Sequence, residues 1–154
     1  MEQKKAIGID PDSKGFQCIY MKECDKNIIK KYFHVDKIGL ESFIKWVNKA
    51  GDVIIAIEGS NGQSRPIEKA LRGNEIVFYS FKPSSVAKYR RAVLGENKNN
   101  DRDAEAAAGL ALSLSNQGRV EEFKRVWFPE DGLRLLTRNH EKITRNKTAA
   151  INSC

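Results

Sequence analysis

The sequence predicts an α/β fold built on a mixed five-stranded sheet with flanking helices, and three observations predict it. Three strand-like segments follow one another up to Val35, the apolar period then changes from two to 3.6 at Leu40, and apolar runs alternate with amphipathic segments as far as Leu114.

Each element has its own signal. Ala6–Asp10 is a short apolar run closed by the turn-forming residues Pro11–Gly15, Phe16–Met21 follows with strand propensity, and Ile28–Val35 is rich in β-branched and aromatic residues. Tight connections make these an antiparallel meander. Leu40, Phe43, Ile44 and Val47 fall at i, i+3, i+4 and i+7, one face of an amphipathic helix that Gly51 closes. Val53–Ile57 is a continuous apolar run bounded by Glu58–Gly62, the pattern of a central strand covered on both faces. Ile67–Leu71 reads as helical up to Gly73, and Glu75–Phe81 as another apolar strand. Ser84 or Ser85 can cap a helix running to Leu94, and a further helix spans Asp101–Leu114. The order β-β-β-α-β-α-β-α-α, with right-handed crossovers, is the ribonuclease H-like arrangement. A Rossmann-type sheet would lack the opening meander and would carry Gly-x-Gly-x-x-Gly after its first strand, which is absent here.

From Glu130 the chain is a charged helix candidate with Leu133, Leu136, His140, Ile143, Lys147 and Ala150 at alternating spacings of three and four. That is a heptad seam in which His140 and Lys147 are poor members. The expected division is one domain over residues 1–128 and the start of a helical coiled coil over 129–154, reaching Cys154 with no Gly or Pro stop, as an interrupted helix would.

Composition narrows the function. Among 154 residues, 27 Lys and Arg against 20 Asp and Glu leave a net charge of +7. Such a surplus in one small domain suits a polyanionic partner, nucleic acid first; a basic surface without one is the competing account. No signal-peptide pattern follows Met1, and the longest apolar stretch, Val53–Ile57, is far below the roughly 20 residues that span a bilayer, so the expectation is a cytoplasmic protein with no membrane partner. Cys18, Cys24 and Cys154 show no Cys-x-x-Cys pair and no His in ligand spacing, which supports neither a disulfide framework nor a zinc site. His34 and His140 are isolated, and core packing accounts for Trp46 and Trp127.

Acidic residues carry the sharper signal. Asp10 ends the first strand and Glu58 follows the buried run, so a meander-then-crossover sheet places both at one edge. Either alone would be an ordinary strand-end acid. On a helix turning about 100° per residue, Asp103, Ala107, Leu110 and Leu114 share one inward face. A core-facing carboxylate is costly unless it binds metal or meets an Arg or a backbone cap. Asp101 sits about 200° round from Asp103 and reads as a first-turn acid or N-cap, while Asn100 shares the face of Asp103 if the helix starts early. Clustered carboxylates suit hard Mg²⁺ or Mn²⁺, and two such ions about 3.5–4 Å apart can stabilise the attacking and leaving oxygens of a phosphodiester. Just before this helix lie Lys82, Lys88, Arg90, Arg91 and Lys98 with Tyr89 interleaved, a pattern for phosphate contact or for a solvated helix face.

Gly8–Lys14, Ala56–Ser60 and Lys98–Glu105, taken together, resemble the N-terminal domain of the insertion-sequence-110 family of transposases, relatives of the Piv DNA invertase. The resemblance implies a RuvC-like domain with an Asp-Glu-Asp-Asp tetrad, a DNA partner, a structured guide RNA, and a following coiled coil through which the full-length protein would form a homo-oligomer. Asp10 matches the first acid, Glu58 the second and Asp103 the last; the third acid of the family falls at Asn100, so either Asn100 substitutes for it or Asp101 serves after a local shift. The family also carries a C-terminal domain with a serine nucleophile, and none follows Cys154 in this sequence. The resemblance therefore implies the metal-dependent nuclease-like domain of a DNA transposase, unable to complete recombination alone. The competing class is a non-catalytic nucleic-acid-binding and dimerisation module, for which the altered tetrad is the sign.

Overall fold

The computed structural model describes residues 3–59, 62–96 and 100–125. The heptad segment from Glu130, together with Trp127, His140 and Lys98, lies outside them. Strands β1 (Lys5–Pro11), β2 (Gly15–Lys22) and β3 (Ile28–His34) form the expected meander, followed by α1 (Lys37–Ala50), β4 (Ile54–Glu58), α2 (Arg65–Gly73), β5 (Phe78–Phe81), α3 (Pro83–Val93) and α4 (Asn100–Asn116). A 3₁₀ turn, Val120–Phe123, leads into a two-residue strand, β6 (Lys124–Arg125). The sheet runs β3-β2-β1-β4-β5-β6, with β1, β4 and β5 parallel and the remaining pairings antiparallel. The five predicted strands are thus present in a ribonuclease H-like order, and β6 extends the β5 edge.

Boundary differences have local causes. Glu75 adopts a left-handed φ of 58°, which turns the chain after α2 and delays β5 to Phe78. Helix α3 starts at Pro83 instead of being capped by Ser84 or Ser85, because proline's fixed φ suits the first helical position. Asp36 caps α1 through the Gly39 amide, and Gly51 ends it at a φ of 77°.

Alternation along the strands divides the core. Ile7, Ile9, Phe16, Cys18, Phe33, Ile55, Ile57 and Phe78 pack with Phe43, Ile44 and Val47 of α1 and Ile67 and Leu71 of α2. The opposite face is built from small residues. Ala6 meets Ala108 and Leu112, and Ala56 packs with Ala106, Ala107 and Ala111 of α4, joined by Val86 and Phe81.

Gly8 is the point of closest approach. A Cβ there would lie 1.8 Å from the Ala104 carbonyl oxygen and 2.7 Å from the Ala108 nitrogen, so α4 can rest on β1 only because position 8 has no side chain. Gly8→Ala is expected to lower stability by about 3 kcal/mol or more, since backbone has to move to make room. Gly73→Ala, where an added Cβ meets nothing within 4 Å, should not destabilise. Urea unfolding of the two variants beside the wild type checks this contrast.

Candidate metal centre

The fold carries three carboxylates to one place. Asp10 and Glu58 end the parallel strands β1 and β4, which run in register from Ala6↔Ile54 to Ile9↔Ile57, so their next residues sit side by side at the carboxyl edge of the sheet. Asp10 lies on the same face as Ala6 and Gly8, and Glu58 on that of Ala56, both towards α4. Asp103 descends from the first turn of α4. The carboxylates of Asp10, Glu58 and Asp103 each offer an oxygen within 4.8 Å of the others. Asp10 is 9% exposed and Asp103 4%, while Glu58 is half-buried.

Asp103 also has a partner of its own. Arg90 of α3, 5% exposed, donates through Nη1 to Asp103 Oδ1 in a buried ion pair. Val86, Tyr89 and Arg90 stand at i, i+3 and i+4, which turns Arg90 inward beside the buried Val86. Position 90 was expected among the phosphate-contacting residues. The structure moves it into the interior, and the spacing from Val86 was the signal for that.

Three carboxylates, one of them paired with a guanidinium, share a small, largely buried volume. A divalent cation suits such a group of acids. All three donors are hard oxygen atoms, the set that Mg²⁺ and Mn²⁺ take, with neither sulfur nor imidazole among them. The N-terminal end of α4 adds a favourable field for the negative charge of Asp103. A carboxylate has two oxygens, so pairing with Arg90 through Oδ1 is compatible with a ligand role for Oδ2.

The other predicted residues disperse. Asp101 turns outward and pairs with Lys30 Nζ of β3 at 3.0 Å, away from the carboxylate group. Asn100 opens α4, its side chain outside the described residues. Lys82, Lys88 and Arg91 are exposed. Tyr89 is half-buried against α4, where a Cβ on Gly109 would lie 2.7 Å from its hydroxyl; burial, and then the charge of Glu105, push its phenol up. Asp12 belongs to the β1–β2 turn, accepting from the amides of Lys14 and Gly15 at 2.8 Å and from the Tyr32 hydroxyl at 3.0 Å. Burial acts to raise the Asp12 carboxyl, but these three donors outweigh it and hold it below its ordinary value.

Arg102 donates to the Leu94 carbonyl at 2.7 Å, tying the start of α4 to the end of α3. Beside Glu58, a cleft of about 400 Å³ opens between Gly59, Ser80, Lys82, Ser85 and Lys124. Of this group, the sequence offers only Lys82 as a phosphate-contacting residue.

With this geometry in view, the fold is that of RuvC. The chain superposes on the Thermus thermophilus RuvC structure with a TM-score of 0.53 at 14% identity, over 74% of this chain and 96% of that one. On T. thermophilus RuvC in complex with Holliday junction substrate, the values are 0.54, 12%, 75% and 97%. The comparison with curated proteins returns no match. The model of the insertion-sequence-110 DEDD family, described as a transposase, matches residues 7–154, and the chain belongs to that family. Among the described residues, no helix is long and apolar enough to cross a membrane.

Arg90→Met would leave Asp103 buried without its guanidinium and is expected to cost about 3–5 kcal/mol. Lys30→Ala, which breaks the exposed pair with Asp101, should cost less than about 1 kcal/mol. Thermal and urea unfolding of both variants, without added metal, reads the difference.

Proposed function

We propose that this chain is the metal-dependent nuclease-like domain of a DNA transposase, with Asp10, Glu58 and Asp103 holding Mg²⁺ or Mn²⁺. The observation that carries the reading is the meeting of three carboxylates within 4.8 Å at the carboxyl edge of parallel strands, the edge where open α/β sheets place their ligands. When bound, such an ion would supply Lewis acidity, polarising the scissile phosphate and stabilising the attacking and leaving oxygens. Asp10 would hold the shared ion. Glu58 and Asp103 complete the shell, and Arg90 holds the Asp103 side chain in the orientation that serves it. The third tetrad position falls at Asn100, and either Asn100 substitutes there or Asp101 serves after a local shift; a neutral donor in that place would bind a second ion more weakly than the first.

The exposed side chains of Lys82, Lys88 and Arg91 would hold DNA phosphates, the sequence adding Lys98, and a cleft lined by Gly59, Lys82, Glu122 and Lys124 lies along the same edge. By family, the domain spans residues 1–128, and residues 129–154 begin a coiled coil that assembles the full-length protein as a homo-oligomer. A structured guide RNA selects the DNA, and a serine nucleophile on a C-terminal domain completes recombination. The protein acts in the cytoplasm.

One observation favours a second reading. Arg90 already compensates Asp103, as a binding module without metal would require. Mg²⁺ and Mn²⁺ titrations followed by thermal shift separate the two. In the wild type the midpoint should rise with ion concentration, reaching a gain of about 2.7 kcal/mol at a hundredfold excess over Kd. Asp10→Asn should abolish the rise and, with it, metal-dependent cleavage of labelled DNA. A wild type that binds DNA but shows no cation response would sink the catalytic reading and leave the non-catalytic module.

A further inference from the structure

A second basic feature lies on the far side of the sheet from the carboxylates. Residue partners Cys18↔Lys31 and Tyr20↔Ile29 align β2 and β3 so that Tyr20, Ile29 and Lys31 project towards α1, whereas Lys30 projects towards α4. Between this hairpin and the last turns of α1 is a groove of about 560 Å³. Its floor is apolar, made by Tyr20, Ile29 and Trp46, and its rim carries Lys22, Lys31 and Lys49 against one lining acid, Asp25.

Two details set it apart from an ordinary solvated surface. Ile29 is 50% exposed, although a β-branched apolar side chain gains by burial. The Lys31 ammonium stands over the Trp46 ring at 5.6 Å from its centroid, so cation and aromatic face are presented as one unit.

We propose that this groove binds single-stranded nucleic acid, with an unpaired base on the Tyr20–Ile29–Trp46 floor and flanking phosphates on Lys22, Lys31 and Lys49. An apolar, partly aromatic floor ringed by amines is what an unstacked nucleotide offers its base and its phosphate to. A duplex keeps its base faces stacked inside and would use the rim alone. An acidic peptide would pair with the lysines and leave Trp46 and Ile29 unused. The sheet separates this groove from the carboxylates, so the strand it takes is a different segment from any DNA held at the metal centre. No residue is shared with the metal centre, so the two readings stand or fall separately.

The test is fluorescence anisotropy of labelled twelve-nucleotide oligo(dT) and oligo(U) with the whole chain in EDTA. Lys31→Glu with Lys49→Glu, both exposed positions, should weaken binding at least about tenfold, and Trp46→Leu about tenfold. The charge-matched pair Lys45→Glu with Lys69→Glu, outside the groove, should bind much more tightly than the groove pair. Melting curves establish that each variant folds, and the lysine pair alone decides the matter if Trp46→Leu does not. Equal losses in both lysine pairs would reduce the effect to net charge and overturn the proposal. So would a twelve-base-pair duplex, or a poly-glutamate peptide, that competes for the groove as well as the single strands do.

Discussion

The contact between Gly8 and the backbone of α4 is the constraint on which the rest of the structure depends. Removing the side chain at one position of β1 lets a helix lie against the sheet at backbone distance, and a run of alanines on that helix keeps the approach close along its length. The helix then delivers Asp103 to the end of the strand that carries Asp10, two residues beyond Gly8. Larger residues at positions 8, 104 or 108 would lift α4, and the carboxylates would no longer meet. Packing, more than any property of the acids themselves, is what makes three strand-end and helix-end side chains into one group.

Charge is distributed around that contact in two ways. Inside, Arg90 compensates part of the carboxylate cluster and joins α3 to α4, with Arg102 making a second tie between the same helices. A buried pair of this kind adds less net stability than its Coulomb energy suggests, but it gives Asp103 one orientation. Outside, lysines and arginine occupy α3 and the strand ends on one face of the sheet, and a separate set of lysines surrounds aromatic residues on the other. Among the described residues, positive charge therefore gathers on two surfaces with different chemistry.

Much of the fold was legible in the sequence because its periodicities are clean. The short apolar run Ala6–Asp10 with its turn-forming close, the shift to i, i+3, i+4, i+7 spacing at Leu40, and the uninterrupted Val53–Ile57 run each correspond to one element. The carboxylate group was legible because strand ends are predictable and because Asp103 shares the inward face of an alanine-rich helix. What escaped depended on contacts between distant segments. Arg90 looked like one more cation in a basic run, and only the position of α3 against α4 makes it a buried partner of Asp103. Strand β6 has two residues, too few for any pattern, and exists because β5 offers it an edge. The late start of β5 follows from a single left-handed residue, Glu75, whose identity gives no warning of its conformation.

The three carboxylates come from positions 10, 58 and 103, and their neighbourhood is closed by the last helix of the described sheet domain. Contacts of such sequence separation repay the loop entropy between them only once they are made, which slows folding. During synthesis from the N-terminus, β1 through α3 can emerge and begin to assemble while the sheet face that awaits α4 stays open to water. The acidic centre therefore does not exist on a partly made chain. Any chemistry that depends on it must wait for the completion of α4, when only the 3₁₀ turn and β6 of the described sheet remain to be made.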